Sequence, residues 1–498
     1  MVPLARPSTR GLSLVAALML LVVAAVHAPR AEAHAVPVAY SPGKSALVAD
    51  AGGLVTVRFS EPVTLLNPDD LRVVDEEGES LATGPARVSP NDARTIEVPV
   101  RGDLEDGTYT VSYRPISADA HVVPGIHVFG VGPGPVGEPY LGGAVEEGPS
   151  ETSPWAVGAR FLELVLLGGL AGLVLFRPLV WAPVWRRRAA TQEDVPLLGW
   201  GRDALWGGVA ALAIGAIVAE AFLLIVYTAQ VNGTAVSDAL SASAIGTTLS
   251  GTELGGLLQL RAGLLFVIFL AASVVVFQEL DPTRGEATLL RGVPTWSSWT
   301  LGAGAVVVLA VVSAQGHASQ APAAALQVAA DAVHLAAVGI WATGLALTVL
   351  CLWRLPRLGA TGAARATEVL ARFSRVATLA ILAVALTGTV RAFGELSAPA
   401  QLWGTAYGQS LLLKLALLLP IGALALQNRR VLRALERIAG RSAVGLARVR
   451  RTALAELAIG LVVVAVAAVL VAQTPGRAVD RGPDDPAAAT QVAASIPR

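Results

Sequence analysis

The chain has 498 residues, 54% of them hydrophobic and 15% charged, with a mean hydropathy of +0.61. That balance excludes a soluble globular protein of this size and places much of the chain in lipid. The net charge is zero, but it sums an acidic N-terminal region and arginine-rich connections further on, so it says nothing about partners.

The single cysteine, Cys351, rules out an intramolecular disulfide framework and a cysteine-rich metal cluster, and the two methionines are Met1 and Met19. At the N-terminus Arg6 and Arg10 precede an apolar run over 11–26, and Ala31-Glu32-Ala33 has the small-x-small pattern of a signal-peptidase site. Residues 1–33 therefore read as a signal peptide, with an uncleaved signal anchor as the alternative. Cleavage there exposes His34.

From 34 to 131 the pattern is short alternating segments, such as 55–59 and 108–113, separated by turn residues like Asn67-Pro68-Asp69 and Asp106-Gly107. Alternation without a helical period predicts a small antiparallel all-β sandwich. Residues 132–154, with Gly-Pro-Gly-Pro and Glu-Glu-Gly-Pro-Ser, read as a tether. Eight apolar stretches of bilayer-crossing length follow, over 156–180, 204–229, 257–278, 299–316, 324–352, 373–394, 408–426 and 453–473. Residues 155–474 are thus expected to form an all-α polytopic membrane domain, and 475–498 a disordered tail. Arg186-Arg187-Arg188, then Arg354, Arg357 and Arg365, then an arginine block between 429 and 451 mark the loops after the first, fifth and seventh helices as cytoplasmic. The β-domain and the C-terminus then lie outside. Topology accounts for the arginine block without a nucleic-acid or lipid patch.

Two groups of residues carry chemistry. A free N-terminal His34 offers its α-amine and imidazole to one chelate ring, and Ser117-Ala118-Asp119-Ala120-His121 adds a carboxylate and a second imidazole. On an extended segment Asp119 and His121 share a face. Three nitrogens and one oxygen form a set that Cu(II) accepts without sulfur, whereas an isolated Asp-x-His is ordinarily a solvated pair.

In the membrane half Asp331, His334, Val338 and Trp341 recur at three- and four-residue intervals and share a helix face. Ionisable groups at membrane depth face a bundle interior or a wet cavity. Glu163, Glu220, Asp331, His334 and Lys414 fall in the outer half or near the middle, with His317 at the outer mouth, and outline a polar vestibule. Lys414 is expected to pair with Asp331 or Glu163. Glu456 stands near the cytoplasmic end, so no complete path is visible.

The start His34-Ala35, then Ser41-Pro42, the strand Val57-Arg58-Phe59-Ser60-Glu61-Pro62-Val63, and Asp106-Gly107-Thr108-Tyr109-Thr110-Val111 through Ser117-Ala118-Asp119-Ala120-His121 resemble the CopC copper-resistance family. The resemblance implies a cupredoxin-like, Ig-like β-domain binding Cu(II) through His34, Asp119 and His121. Ala120 departs from the glycine usual between these ligands. His127, in the next strand with the parity of His121, is outside the family pattern and reads as an accessory ligand or a surface histidine. Gln315-Gly316-His317-Ala318, Asp331-Ala332-Val333-His334 leading to Gly339-Ile340-Trp341, Tyr407-Gly408-Gln409-Ser410 leading to Lys414, and Asn428-Arg429-Arg430 resemble the CopD family of copper membrane proteins.

A CopC–CopD fusion implies a bacterial cytoplasmic-membrane protein that captures Cu(II) outside and passes it inward. Its expected partners are copper ions, the bilayer and extracytoplasmic copper donors or acceptors. The alternatives are a copper-sequestering resistance protein with a membrane anchor or sensor, and a haem- or copper-dependent redox enzyme. Two membrane histidines, one of them at the surface, are poor provision for haem, and an enzyme is not expected. The sequence shows no phosphate-binding loop, so nucleotide-driven pumping is not expected, and with topology accounting for the arginines no nucleic-acid partner is expected either.

Overall fold

The computed structural model describes residues 35–117, 121–141, 150, 152–187, 190–280, 296–316, 323–437 and 443–479. The N-terminal strands are β1 (Pro37–Ser41), β2 (Leu47–Val48), β3 (Leu54–Phe59), β4 (Val63–Thr64), β5 (Leu71–Val74), β6 (Arg87–Ser89), β7 (Asp92–Pro99), β8 (Gly107–Tyr113), β9 (Ile116–Ser117) and β10 (Gly125–Val131). They form two four-stranded sheets, ordered β1-β3-β7-β6 and β2-β10-β8-β5, and a β4-β9 ribbon. Alternation aims Val55, Val57 and Phe59 of β3 at Val73, Val111 and Phe129 of the facing sheet. The expected sandwich is present with one departure, the short edge strand β2, which runs parallel to β10.

The stretch read as a tether is tied down for part of its length. Two hydroxyls on β8 hold it, because the Gly137 amide donates to Thr108 Oγ1 and the Tyr140 amide to Thr110 Oγ1, each at 2.8 Å. Tyr140 lies against Gly78, whose φ of +87° and missing Cβ make room for the ring.

Eight helices are long and apolar enough to cross a membrane. They are α1 (Pro154–Phe176), α2 (Val195–Asn232), α3 (Glu253–Leu280), α4 (Trp296–Ser313), α5 (Ala324–Arg354), α6 (Ala360–Glu395), α7 (Ala406–Arg437) and α8 (Ala443–Val471). Ser153 caps α1 through the Ala156 amide with Pro154 in the first turn, and Gly233 ends α2 at φ 64°. Leu379, Leu386, Phe393 and Leu419 stay more than two-thirds exposed, as lipid-facing side chains do. A short helix, Ala242–Gly251, precedes α3 where the sequence showed no apolar run, and a π-turn over Arg177–Trp181 follows α1.

Helices α2 and α6 begin nine and thirteen residues before their apolar stretches. Their N-terminal ends are held together by a buried ion pair, Arg365 Nη2 to Asp194 Oδ2 at 2.9 Å, with the guanidinium over the Trp185 ring. The residues after α8 are ordered for one further turn, Gly476–Val479, where Arg477 donates to the Gly394 and Phe393 carbonyls at the end of α6. Residues 480–498 of the expected tail lie outside the described residues.

Helices α1 and α5 make the closest crossing. A Cβ on Gly172 would lie 2.1 Å from the Gly339 carbonyl oxygen, and one on Gly339 would lie 2.3 Å from that of Gly168. Small residues let the backbones meet where lipid supplies no hydrophobic drive. Gly339→Val is therefore expected to destabilise the detergent-solubilised protein by about 1–3 kcal/mol, from overpacking against rigid backbone. Gly207→Val, at a position with open space around it, should leave the melting curve nearly unchanged.

Candidate functional site

In the β-domain, His34 and Asp119 lie outside the described residues. His121 is half-buried; the Ser117 amide donates to the His121 carbonyl at 2.8 Å and the Val123 amide to the Pro115 carbonyl at 2.9 Å. These bonds fix where the imidazole leaves the backbone. His127 sits in β10 opposite Val111 and is 3% exposed, so the surface reading is corrected. Its ring packs at 4.4 Å from that of Tyr40 and 6.3 Å from that of Tyr113. Core packing explains the position, because β10 alternates His127 and Phe129 inward.

Burial and the Lys44 charge push His127 down to about 4, offset in part by the Pro42 carbonyl. Between roughly pH 6.5 and 4 the unfolded chain then binds a proton that the folded domain refuses. The metal-free domain 34–131 should lose about 3 kcal/mol of stability as the pH falls through that window. Urea denaturation at several pH values measures this, and His127→Phe should flatten the dependence.

The bundle holds two charged clusters at the end that carries the β-domain. The first joins α1, α2 and α3 to Gln315, two residues past α4. Arg261 is fully buried, and its Nη2 donates to Glu163 Oε1 and Glu220 Oε1 while Nη1 donates to Gln315 Oε1 at 2.5 Å. Arg160 holds the other oxygen of Glu163 at 2.9 Å. Glu220 Oε2, Arg261 Nε and Gln315 Nε2 have no hydrogen-bond partner among the described residues. Glu163 and Glu220 were expected here, but Arg261 was not. Its signal was a cation four residues inside an apolar stretch.

Removing Arg261 leaves two carboxylates facing each other in an apolar interior. Arg261→Met should therefore cost about 3–5 kcal/mol in thermal or denaturant unfolding of the purified protein. Adding Glu163→Gln and Glu220→Gln should recover much of the loss.

The second cluster joins α5, α6 and α7. Asp331 accepts from Arg391 Nη1, and Arg391 Nη2 reaches Glu395 at 3.5 Å. His334 Nδ1 lies 3.1 Å from Thr387 Oγ1, against Gly388, where a Cβ would crowd the imidazole. Asp331 and His334 are thus brought together, as expected. Lys414 lies within electrostatic range of Asp331 and Arg391 but forms neither expected ion pair, because arginines on neighbouring helices hold both Asp331 and Glu163. Trp341 packs against Gly460 of α8 in the apolar core, away from these charges. His317 lies outside the described residues. Nearer the other end, Glu456 accepts from Asn428 Nδ2 at 2.5 Å. Among the described residues no group of three or more His, Cys, Asp or Glu side chains converges as a metal site.

The β-domain rests on the first cluster's helices. Leu66, Ile116 and Val122 join an apolar cluster with Ala156 and Ala159 of α1, Leu223, Val226 and Tyr227 of α2, and Leu254 and Leu258 of α3. Buried Arg114 donates from Nη2 to the Gln230 carbonyl at 2.7 Å. The segment carrying His121 therefore lies against the bundle.

Residues 38–132 match the CopC domain family, and residues 367–470 match the family described as Copper resistance protein D, or CopD. The chain is a CopC–CopD fusion. It is 26% identical over 446 residues to Copper transport protein CutJ of Bacillus subtilis, covering 88% of this chain and 73% of that protein. Protein YobA of Escherichia coli is 32% identical over 103 residues, covering 21% of this chain and 82% of YobA. The crystal structure of CopC from Methylosinus trichosporium OB3b is similar at 28% identity, covering 22% of this chain and 100% of its own, with a TM-score of 0.18. PcoC, a methionine-rich copper resistance protein of Escherichia coli, is similar at 25% identity, covering 20% and 100%, with a TM-score of 0.17. The fusion belongs to the copper transport and resistance proteins and is a multi-pass membrane protein with a β-domain at its N-terminal end. None of these descriptions names an enzyme.

Proposed function

We propose that this CopC–CopD fusion imports copper across the bacterial cytoplasmic membrane, with the β-domain and the C-terminus outside. The β-domain captures Cu(II) through the His34 amine and imidazole, Asp119 and His121, a nitrogen and oxygen set suited to that ion. The ion then passes to the charged clusters of the bundle, first Glu163 and Glu220, then Asp331, His334 and Lys414. The observation that carries this reading is the contact between the His121 segment and the helix ends directly above buried carboxylates. Extracytoplasmic copper donors would load the outer site.

Confinement of both charged clusters to the β-domain half of the bundle also fits sequestration, in which the membrane domain serves as an anchor. Copper measured in the cytoplasmic and envelope fractions of cells with and without the gene separates the two. Import predicts a cytoplasmic gain that His121→Ala reduces and His334→Ala abolishes per inserted molecule. His334→Ala should leave Cu(II) binding by the β-domain intact, whereas His121→Ala should weaken it by about tenfold or more. Binding should also weaken on acidification, because amine, imidazole and carboxylate coordinate only when deprotonated. Copper gained in the envelope alone would favour sequestration.

A further inference from the structure

We infer that the β-domain delivers its ion while still docked on the bundle, and that Glu220, steadied by Arg261, is the first group of the membrane domain to receive it. This deepens the import reading and rests on it. The docking contact has three independent attachments. Val122, the residue after His121, packs with Ile116 on α1–α3, and Arg114 is bonded to the last turn of α2. Leu66 lies on Gly251, the final residue of the short helix before α3. Its loop is braced by Asp70, whose carboxylate accepts the Leu66 and Asn67 amides at 2.8 and 2.7 Å. All three attachments fall on α1–α3 and the short helix, so the delivering segment sits over the first cluster.

Within that cluster the chemistry singles out one oxygen. Both oxygens of Glu163 are held by arginines, and Arg261 also takes one oxygen of Glu220. Glu220 Oε2 is buried and has no donor among the described residues. A buried carboxylate oxygen without a partner is costly and marks a place where a ligand is received. Glu220 lies three and seven residues before Leu223 and Tyr227, so it is roughly 5–10 Å of helix axis beneath the docked surface. A carboxylate acceptor suits Cu(II) better than Cu(I), so the ion enters the bundle without prior reduction.

A cross-link tests the docked transfer. A Cβ on Gly251 would lie 2.6 Å from Leu66 Cδ1, which puts a Leu66→Cys/Gly251→Cys pair within disulfide reach. The native Cys351 is buried and stays out of the reaction. The full chain carrying the pair is reconstituted in vesicles, oxidised, and assayed for Cu(II) uptake. The disulfide should form, the linked protein should retain uptake, and Glu220→Gln should lower uptake about tenfold while the β-domain still binds Cu(II). Failure of the disulfide to form, loss of uptake on cross-linking with recovery on reduction, or normal uptake by Glu220→Gln would each overturn the proposal. Absence of uptake by the unmodified protein would instead bring down the import reading itself.

Discussion

An ionised group inside a lipid-embedded bundle must find a partner of opposite charge, and the helical half of this protein is organised around that requirement. Arg261 meets it for two carboxylates at once, drawing α1, α2 and α3 together with Gln315 just past α4. Arg391 does the same between α5 and α6. Neither arrangement closes unless the helices approach closely, and the glycines at 168, 172 and 339 permit that approach between α1 and α5. The tight central crossing joins α1 of the first cluster to α5 of the second. Short side chains at the crossing leave the long ones free to reach across to their partners.

The same economy governs the junction between the halves. Arg114 is buried and spends one donor on the open carbonyl of Gln230, satisfying an acceptor that the end of α2 leaves without an intrahelical donor. The apolar residues near it include Val122, which directly follows His121, and Ile116, whose neighbour Ser117 donates its amide to the His121 carbonyl. Contact with the bundle and the placement of His121 are therefore carried by one short stretch of chain. Movement of the domain on the bundle would move the His121 imidazole with it. His127, by contrast, serves the interior of the sandwich among Tyr40, Tyr113 and Phe129.

Sulfur is scarce in this chain. Both methionines fall within the first 33 residues and the one cysteine is buried in the bundle. With so little sulfur, the polar side chains that the described residues bury are mainly carboxylates, guanidiniums, hydroxyls and amides.

Composition and periodicity were sufficient for the two-part architecture, since alternation specifies strands and long apolar runs specify spans whatever their neighbours are. The reading of Asp331 and His334 as neighbours on one face also held, because i and i+3 on a helix are adjacent by geometry alone. The partners across helices were not legible. Lys414 looked like the natural mate for Asp331 or Glu163 because it was the lysine in the spans, yet Arg391 and Arg261 took those places. Pairing between helices depends on rotation and depth, which hydropathy does not encode. The burial of His127 and the seating of the His121 segment on α1–α3 were likewise decided by the tertiary structure. A strand's alternation says which residues share a side, and only the packed fold says what that side faces.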